Sequence, residues 1–213
     1  MYLIFIFYFG YCNQCRISTT SNLNMATPLL DSWTMWVKYT SNGSGTSNYS
    51  TAFTEMCSFS TIEEFWSNWN HIPSPGKVFF DGNDRKGVGP DGRLVEEFCV
   101  FKKGIQPAWE DPANKDGGDF SVRVSLKPEQ LDIYFLNTVL AMIGNQLCDD
   151  DNICGVRVVD KSAGKGAMCR FELWIKHSDD RKIAIKAAFE KCLPQDSVYK
   201  KIPSFEWRGR SGN

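Results

Sequence analysis

The stretch CGVRVVDKSAGKGAMCRFELWIK, residues 154–176, decides the fold of this chain. Its two ends, CGVRVVDK and MCRFELWIK, are rich in β-branched and aromatic residues, and each predicts a β-strand. The segment SAGKGA between them is short and made mostly of small residues, as in a hairpin-like connection. Two strands joined in this way pair antiparallel, so the sequence predicts an antiparallel sheet.

The segments on either side of this hairpin complete the predicted fold. Further strands are predicted at WTMWVKY (33–39), EFCVFKKG (97–104), FSVRVSL (120–126) and SFEWRGR (204–210). Helices are predicted at STIEEFWSNWNHI (60–72), from Pro128 to about Leu147, and from about Asp180 to Cys192. In the first helix Ser60 and Glu63 form a capping box, and apolar residues recur at helical spacing. The predicted fold class is α+β, a curved antiparallel sheet with about three helices on its convex face.

Length and composition fit one globular domain. The 213 residues suffice for one sizeable core, and the net charge of −1 excludes a broad basic face for duplex nucleic acid. The eight cysteines form no metal-binding framework beyond a lone Cys12–Cys15 pair, so we expect no metal and no cofactor. Reduced thiols of this kind are typical of a cytoplasmic protein.

The N-terminal stretch is predicted to lie outside the domain. MYLIFIFYFG (1–10) resembles the apolar part of a signal peptide but lacks a basic start and a small-residue cleavage site. It is also shorter than the about 20 residues that a membrane-spanning helix needs, so we expect no membrane association. Residues 1–26 are therefore predicted to be an extension that is disordered or not native, and residues 27–213 to be the domain.

A loop with an unusual tryptophan follows the strand at 97–104. In GIQPAWEDPANKDGGDF (104–120), Trp109 lies outside any periodic apolar run and directly precedes Glu110 and Asp111. A ring in this position can stack on a flat ligand, while the adjacent carboxylate accepts hydrogen bonds from the ligand's edge. The loop therefore predicts a site for a planar ligand.

Six motifs follow one another from Thr27 onward. They are TPLLDSWTMW, STIEEFWSNWNHI, GIQPAWED with NKDGGDF, LNTVLAMIGNQL, CGVRVV and the late LW. In this order and spacing they resemble the messenger-RNA cap-binding translation initiation factor 4E family. The resemblance implies a cupped antiparallel sheet with three helices on its convex back, which holds the 7-methylguanosine cap in a slot on its concave face.

The resemblance assigns two stacking residues and one carboxylate to the base. Methylation at N7 gives guanine a delocalised positive charge, which aromatic faces on both sides attract. Trp109 matches one face and Tyr49 the other, with Tyr39 and Phe53 as alternatives to Tyr49. Glu110 matches the carboxylate that accepts from the N1–H and N2–H₂ groups of the base.

The remaining positions of the slot are assigned in the same way. Trp174 matches a tryptophan near the N7 methyl group, and its alternative role is packing in the sheet core. Lys161 and Arg170 match the basic residues that bind the cap phosphates, and Lys165 joins them by proximity. Asp119 stands where many members have arginine, which weakens the local positive potential.

The resemblance also implies a second functional face on the convex side. There a Tyr-x₄-Leu-Φ helix of a 4G-type scaffold factor or a 4E-binding protein packs on an apolar patch. The matching positions are Pro28, Leu29, Ile62, Trp66, Leu136 and Asn137. Core packing is the alternative role of Ile62 and Trp66. If these two face outward, Phe65 and Trp69 are the core residues of that helix.

The leading prediction is a non-enzymatic factor that binds capped mRNA and recruits a scaffold, as a monomer within a heterocomplex. The alternative is a cap-binding repressor or specialised isoform that does not support general initiation. Tyr49 and Asn137, where the family usually has tryptophan and often glutamate, favour that alternative, as does the glycine- and proline-rich insertion at 73–93. A protein-interaction module without cap binding is a third possibility. A processing enzyme is disfavoured because the chain has only two histidines and no nucleophile–base motif.

Overall fold

The computed structural model describes residues 26–40, 53–80, 93–148, 150–162, 167–177, 179–193 and 203–209. Within these residues seven strands form one sheet in the order β2-β1-β3-β5-β6-β4-β7, with every neighbouring pair antiparallel. The strands are β1 (Pro28–Tyr39), β2 (Phe53–Thr61), β3 (Val95–Lys102), β4 (Gly118–Val124), β5 (Ile153–Asp160), β6 (Cys169–Ile175) and β7 (Glu206–Gly209). Register shifts in β1 and β5 mark the irregularities that let a sheet bend.

Four α-helices occur in the described residues. They are α1 (Ile62–Trp69), α2 (Pro75–Val78), α3 (Pro128–Ile143) and α4 (Arg181–Cys192), and a 3₁₀ turn spans Asp150–Asn152. In these segments no helix is both long enough and apolar enough to cross a membrane. The three longer helices correspond to the three predicted ones, and the predicted α+β class with an antiparallel sheet is confirmed.

Side chains alternate between the two faces of the sheet, and each face has its own cluster of buried residues. On β6, Phe171 and Leu173 pack in the main core, together with residues of α1, α3 and α4 such as Phe65 and Phe189. Trp174 points to the opposite face, which we call the concave face. There a smaller cluster of Cys99, Phe101, Cys154 and Trp174 is packed against by Trp36, Phe53, Ile105 and Trp109.

Several boundaries differ from the sequence prediction. Strand β1 begins five residues earlier than predicted, because its start pairs with the end of β2 at Pro28 and Thr61. Helix α3 ends at Ile143 rather than near Leu147, since Gly144 caps it and Asn145 takes a positive φ of 60°. Helix α2 is a short turn inside a stretch whose glycines and prolines predict a loop.

The predicted capping box of α1 is wrong by one residue. The N-cap is Thr61, whose side chain accepts from the backbone N–H of Glu64 at 3.2 Å. The Glu64 carboxylate in turn accepts from the backbone N–H of Ser60 at 2.7 Å. Glu63 is engaged elsewhere, because its carboxylate accepts from the N–H and hydroxyl of Thr27 at 2.8 and 3.0 Å. The sequence STIEE satisfies the capping pattern in two registers, and the second applies because Ser60 still belongs to β2.

Candidate functional site

The loop between β3 and β4 presents Trp109 and Glu110 and is braced by two of its own side chains. The Asp111 carboxylate accepts from two backbone N–H groups of the loop, each at 2.9 Å. The side-chain amide of Asn114, only 1% exposed, donates to two loop carbonyls at 2.8 Å each. Bonds from side chains to the backbone replace regular secondary structure here, so Trp109 and Glu110 have a defined position.

Trp109 lies flat on Trp174, which β6 places on the concave face. The two ring centroids are 3.2 Å apart and the ring planes differ by 17°. Trp174 is 1% exposed, and Phe101 meets it edge-on at 5.4 Å. Trp109 is half-buried, and Glu110 beside it is exposed. Trp174 therefore has the packing role considered for it, and it also lies directly beneath the loop tryptophan.

The predicted second stacking residue, Tyr49, lies outside the described residues, as does Lys165. Of the two alternatives to Tyr49, Phe53 at the start of β2 packs against the Trp174 cluster. Tyr39 instead packs against the main core, with the Arg93 guanidinium 4.9 Å from its ring centroid. Phe53 is thus the described alternative that lies next to the slot.

The basic residues predicted for phosphate binding lie together at the end of the β5–β6 hairpin. Val159 pairs with Arg170, and the backbone N–H of Lys161 donates to the Met168 carbonyl at 2.8 Å. Alternation along β5 therefore puts Lys161 and Arg170 on the same, concave face. Partial desolvation and then the charge of Arg170 lower the pKa of Lys161. Arg170 lies four residues before Trp174, which is roughly 13 Å along the strand.

Between the aromatic cluster and this basic end lies Glu172, which is 0% exposed. Its Oε2 accepts from Arg157 Nε at 2.6 Å and from the indole N–H of Trp174 at 2.8 Å. Its Oε1 accepts from Arg208 Nη2 at 2.9 Å. Arg170 Nε lies 2.6 Å from the same oxygen, close enough for an ion pair, although its N–H is not aligned for a hydrogen bond. One carboxylate thus contacts three guanidinium groups and one indole.

The electrostatics of Glu172 follow from these contacts. Burial alone would raise its pKa, but the charge and hydrogen bond of Arg157, with Arg170 and the Trp174 N–H, lower the pKa to about 2. Glu172 is therefore ionised across the physiological range, and its charge holds the arginines around it.

The sequence predicts that Asp119 weakens the positive potential of the slot, but the structure pairs this acid with a base. It is 1% exposed, and Arg208 of β7 donates to its Oδ1 through Nε at 3.0 Å and Nη2 at 2.5 Å. Burial, followed by the charge of Glu172, raises the pKa of Asp119 despite the bonds from Arg208. Strand β7 thus supplies the Arg208 guanidinium beside Asp119, and its positive charge largely offsets the negative charge of Asp119.

Sequence reasoning missed Arg157, Glu172 and Arg208 as site residues. The available signal is a charged residue at alternate positions of otherwise apolar strands, as in VRVVD and CRFELW. Period-two alternation puts those charges on one face, but it does not identify their partners.

The convex-side residues lie on two helices and the N-terminal end of β1. Pro28 is exposed, whereas Leu29, Ile62, Trp66, Leu136 and Asn137 are half-buried. The backbone N–H of Ile62 donates to the carbonyl of Thr27 at 2.9 Å, which brings the start of β1 against α1. Phe65 of α1 is 0% exposed, and the Trp66 ring meets its edge at 4.9 Å. Trp66 therefore covers core residues while part of its surface remains accessible.

No group of three metal-ligating side chains converges within the described segments.

The sequence model of the family "Eukaryotic initiation factor 4E" matches residues 28–206.

Similar individual proteins are known in several organisms. Eukaryotic translation initiation factor 4E-1 of Zea mays is 34% identical over 151 residues, 71% of this chain. Eukaryotic translation initiation factor 4E of Saccharomyces cerevisiae is 31% identical over 165 residues, covering 76% of this chain and 68% of the yeast protein. The matched stretch spans only 60% of the Zea mays relative and 54% of a Drosophila melanogaster relative, factor 4E1.

Solved structures agree in fold. A complex of Ascaris suum eIF4E-3 with m7G cap has a TM-score of 0.67 at 26% identity, covering 89% of this chain and 94% of that one. A complex of C. elegans eIF4E-3 with the 4E-binding protein Mextli and cap analog has a TM-score of 0.66 at 26% identity, covering 87% and 93% of the two chains.

Proposed function

Because the chain belongs to the eukaryotic initiation factor 4E family, we propose that it binds the 7-methylguanosine cap of mRNA in the concave slot and recruits a scaffold protein on its helical side. It does so without catalysis, as a translation factor of the cytoplasm. The similar worm proteins were solved with cap ligands and with a 4E-binding protein, which supports both halves of the proposal.

One observation carries the cap-binding proposal. Trp109, a half-buried tryptophan beside the exposed Glu110, stacks on Trp174, and Trp174 lies roughly 13 Å along β6 from Arg170 on the same face, with Lys161 beyond Arg170. That separation suits a nucleotide whose base lies at Trp109 and whose phosphates reach Lys161 and Arg170. The methylated base is a planar cation, which an indole face attracts more strongly than it attracts neutral guanine.

We infer that Trp109 moves when the ligand enters. Trp174 is 1% exposed and Trp109 lies on it at a centroid separation of 3.2 Å, so Trp174 reaches a ligand only once Trp109 moves away. Trp109 leaves Trp174 and stacks on the base, and the edge of Trp174 then faces the N7 methyl group. Glu110 accepts from the N1–H and N2–H₂ groups, and Tyr49 or Phe53 covers the second face of the base.

The cap proposal is tested by binding of 7-methyl-GTP and of GTP, followed by tryptophan fluorescence. The wild-type chain should prefer 7-methyl-GTP by roughly tenfold or more, because only that ligand offers a cation to the indoles. Glu110→Ala should weaken 7-methyl-GTP binding by about 1.5–3 kcal/mol, since two donors of the base lose their charged acceptor.

Asp116→Ala is the matched control, because Asp116 is an exposed carboxylate of the same loop. This variant should bind both nucleotides as wild type does. Equal affinity of the wild type for 7-methyl-GTP and GTP would contradict the cap proposal, and unchanged binding by Glu110→Ala would remove Glu110 from it.

The alternative role, a repressor or specialised isoform, rests on the convex side. Asn137 is half-buried and uncharged there, so it offers a basic partner residue no ion pair. A chain that binds 7-methyl-GTP but fails to bind a Tyr-x₄-Leu-Φ scaffold peptide would favour the repressor role.

A further inference from the structure

Six charged residues cross the concave face as a row of alternating sign, which we call the charge ladder. It consists of Lys38 (β1), Glu97 (β3), Arg157 (β5), Glu172 (β6), Arg208 (β7) and Asp119 (β4). The successive contacts measure 3.2 Å for Lys38–Glu97, 3.1 Å for Glu97–Arg157, 2.6 Å for Arg157–Glu172, 2.9 Å for Glu172–Arg208 and 2.5 Å for Arg208–Asp119. Each acid therefore bonds at least one base from a neighbouring strand.

The ladder is costly to bury, so stability alone does not explain it. The side chains of Glu97, Arg157 and Glu172 are 5%, 3% and 0% exposed. Removing charges from water costs several kcal/mol per ion, and apolar side chains of similar volume often give equal or greater stability. A function that needs charges in fixed positions is the other reason for a protein to retain such a row.

The centre of the ladder touches the aromatic cluster directly. Glu172 Oε2 accepts from the Trp174 indole N–H at 2.8 Å, while the Arg157 guanidinium carbon lies 4.9 Å from the Trp174 ring centroid. The Glu172 carboxylate fixes the N–H edge of the indole, and the Arg157 guanidinium lies over its face. The rotation of Trp174, on which Trp109 stacks, is therefore determined by Glu172 and Arg157.

The same carboxylate also reaches the basic end of the slot. Glu172 Oε1 lies 2.6 Å from Arg170 Nε, so the buried carboxylate holds the Arg170 guanidinium on the concave face. One buried residue thus contacts both the aromatic residue proposed to meet the base and a guanidinium proposed to meet the phosphates.

We propose that Glu172 is a positioning residue for the nucleotide: it orients Trp174 for the methylated base and Arg170 for the phosphates. This inference rests on the proposed cap-binding function and adds to it a residue that does not touch the ligand. Glu172 acts through the indole N–H and the guanidinium groups, and so affects how far the slot distinguishes 7-methyl-GTP from GTP.

The experiment compares Glu172→Gln with Glu97→Gln in the full chain. Both substitutions remove a buried ladder carboxylate that pairs with Arg157, but only Glu172 bonds the Trp174 indole. Two quantities are measured: the ratio of 7-methyl-GTP to GTP affinity, and the indole N–H resonance of Trp174, assigned by its loss in Trp174→Phe.

Glu172→Gln should shift the Trp174 resonance and reduce 7-methyl-GTP affinity roughly tenfold, more than it reduces GTP affinity. Glu97→Gln should leave both the resonance and the affinity ratio near the wild-type values. Should Glu172→Gln not fold, Glu172→Asp keeps the charge, but its side chain is one methylene too short for the indole, so the same shift and loss are expected.

A folded Glu172 variant with a shifted Trp174 resonance and the wild-type affinity ratio would overturn the positioning role alone. An equal loss in Glu97→Gln would also overturn it, because the effect would then belong to the ladder in general. A wild-type chain without preference for 7-methyl-GTP would instead remove the cap-binding proposal itself.

Discussion

At the scale of single residues, the site depends on partners that are distant in sequence. Glu172 takes its hydrogen bonds from Trp174, two positions away, from Arg157, 15 positions away, and from Arg208, 36 positions away. Trp109 and Glu110 could be predicted because their own loop marks them as unusual. Glu172 could not, because a lone acid in an apolar strand gives no indication of which strands flank it.

The ionisation of Glu172 leads to a prediction about pH and stability. Its pKa of about 2 lies below the ordinary value of 4.5. The stabilisation from its charge is therefore fully present above the unfolded-state pKa and is lost as the pH falls from about 4.5 towards 2. Glu172→Gln does not titrate at this position. The difference in free energy of unfolding between wild type and this variant should shrink by about 1 kcal/mol between about pH 6 and about pH 3.5.

Urea unfolding of both proteins at the two pH values measures that difference. The comparison of two proteins is needed because Asp119 has the opposite sign. Burial raises its pKa, so its charge costs stability at higher pH and acidification relieves that cost. Asp119 is present in both proteins, so the larger part of its pKa shift, which burial causes, cancels in the difference, whereas the part caused by the charge of Glu172 does not. A difference that stays constant over this range would mean that Glu172 is not held ionised by the arginines.

At the scale of elements, the success of the prediction followed the strength of the local pattern. Strands β4 and β6 alternate clearly and were predicted to within two residues. Strand β2 was missed because FTEMCSFST lies at the sheet edge and has only one fully buried residue, so it lacks a marked apolar face. The capping box of α1 was misplaced because two registers fit the same motif, and only the strand preceding it decides between them.

The β3–β4 loop is the element on which the slot depends most, and Asn114 tests it. Asn114→Ala removes the donor from two loop carbonyls, a buried one at Ala108 and a partly buried one at Gln106. The expected cost is about 1–3 kcal/mol in the free energy of unfolding, measured by urea denaturation. Affinity for 7-methyl-GTP should fall as well, because Trp109 and Glu110 lose their fixed backbone.

Lys115→Ala is the control for this loop, since the neighbouring Lys115 is exposed. Its stability and 7-methyl-GTP affinity should match those of the wild type. If Asn114→Ala also matches the wild type in both measurements, the loop is held by Asp111 and not by Asn114.

At the scale of the whole molecule, the sheet separates two proposed functions. The slot residues lie on the concave face and in the β3–β4 loop, while Trp66 and Leu136 lie on helices that pack on the other face. The main core that separates them is a cluster of apolar residues to which each of the four described helices contributes. A substitution on one side should therefore leave the function of the other side intact.

Trp66→Ala tests this separation. Trp66 is half-buried on α1, and the start of β1 lies against the same helix. A partner helix that packs there would lose its largest anchor, so binding of a Tyr-x₄-Leu-Φ peptide should weaken by about 2 kcal/mol or more, roughly 30-fold. The 7-methyl-GTP affinity of the same variant should stay within about twofold of wild type, because Trp66 is on the opposite side of the sheet from Trp109.

The control is Ile183→Ala, which truncates an apolar residue of α4 that is 68% exposed and outside the proposed partner face. It should bind both the peptide and 7-methyl-GTP as wild type does. A loss of peptide binding in Trp66→Ala is then specific to the proposed partner face and does not follow from removing any exposed apolar side chain. Circular dichroism and urea unfolding of Trp66→Ala identify any loss of fold, since its ring also packs on Phe65. A folded Trp66→Ala chain that captures the peptide with wild-type affinity would place the partner elsewhere on the molecule. Parallel loss of 7-methyl-GTP affinity in that folded chain would show that the two faces are coupled through the core.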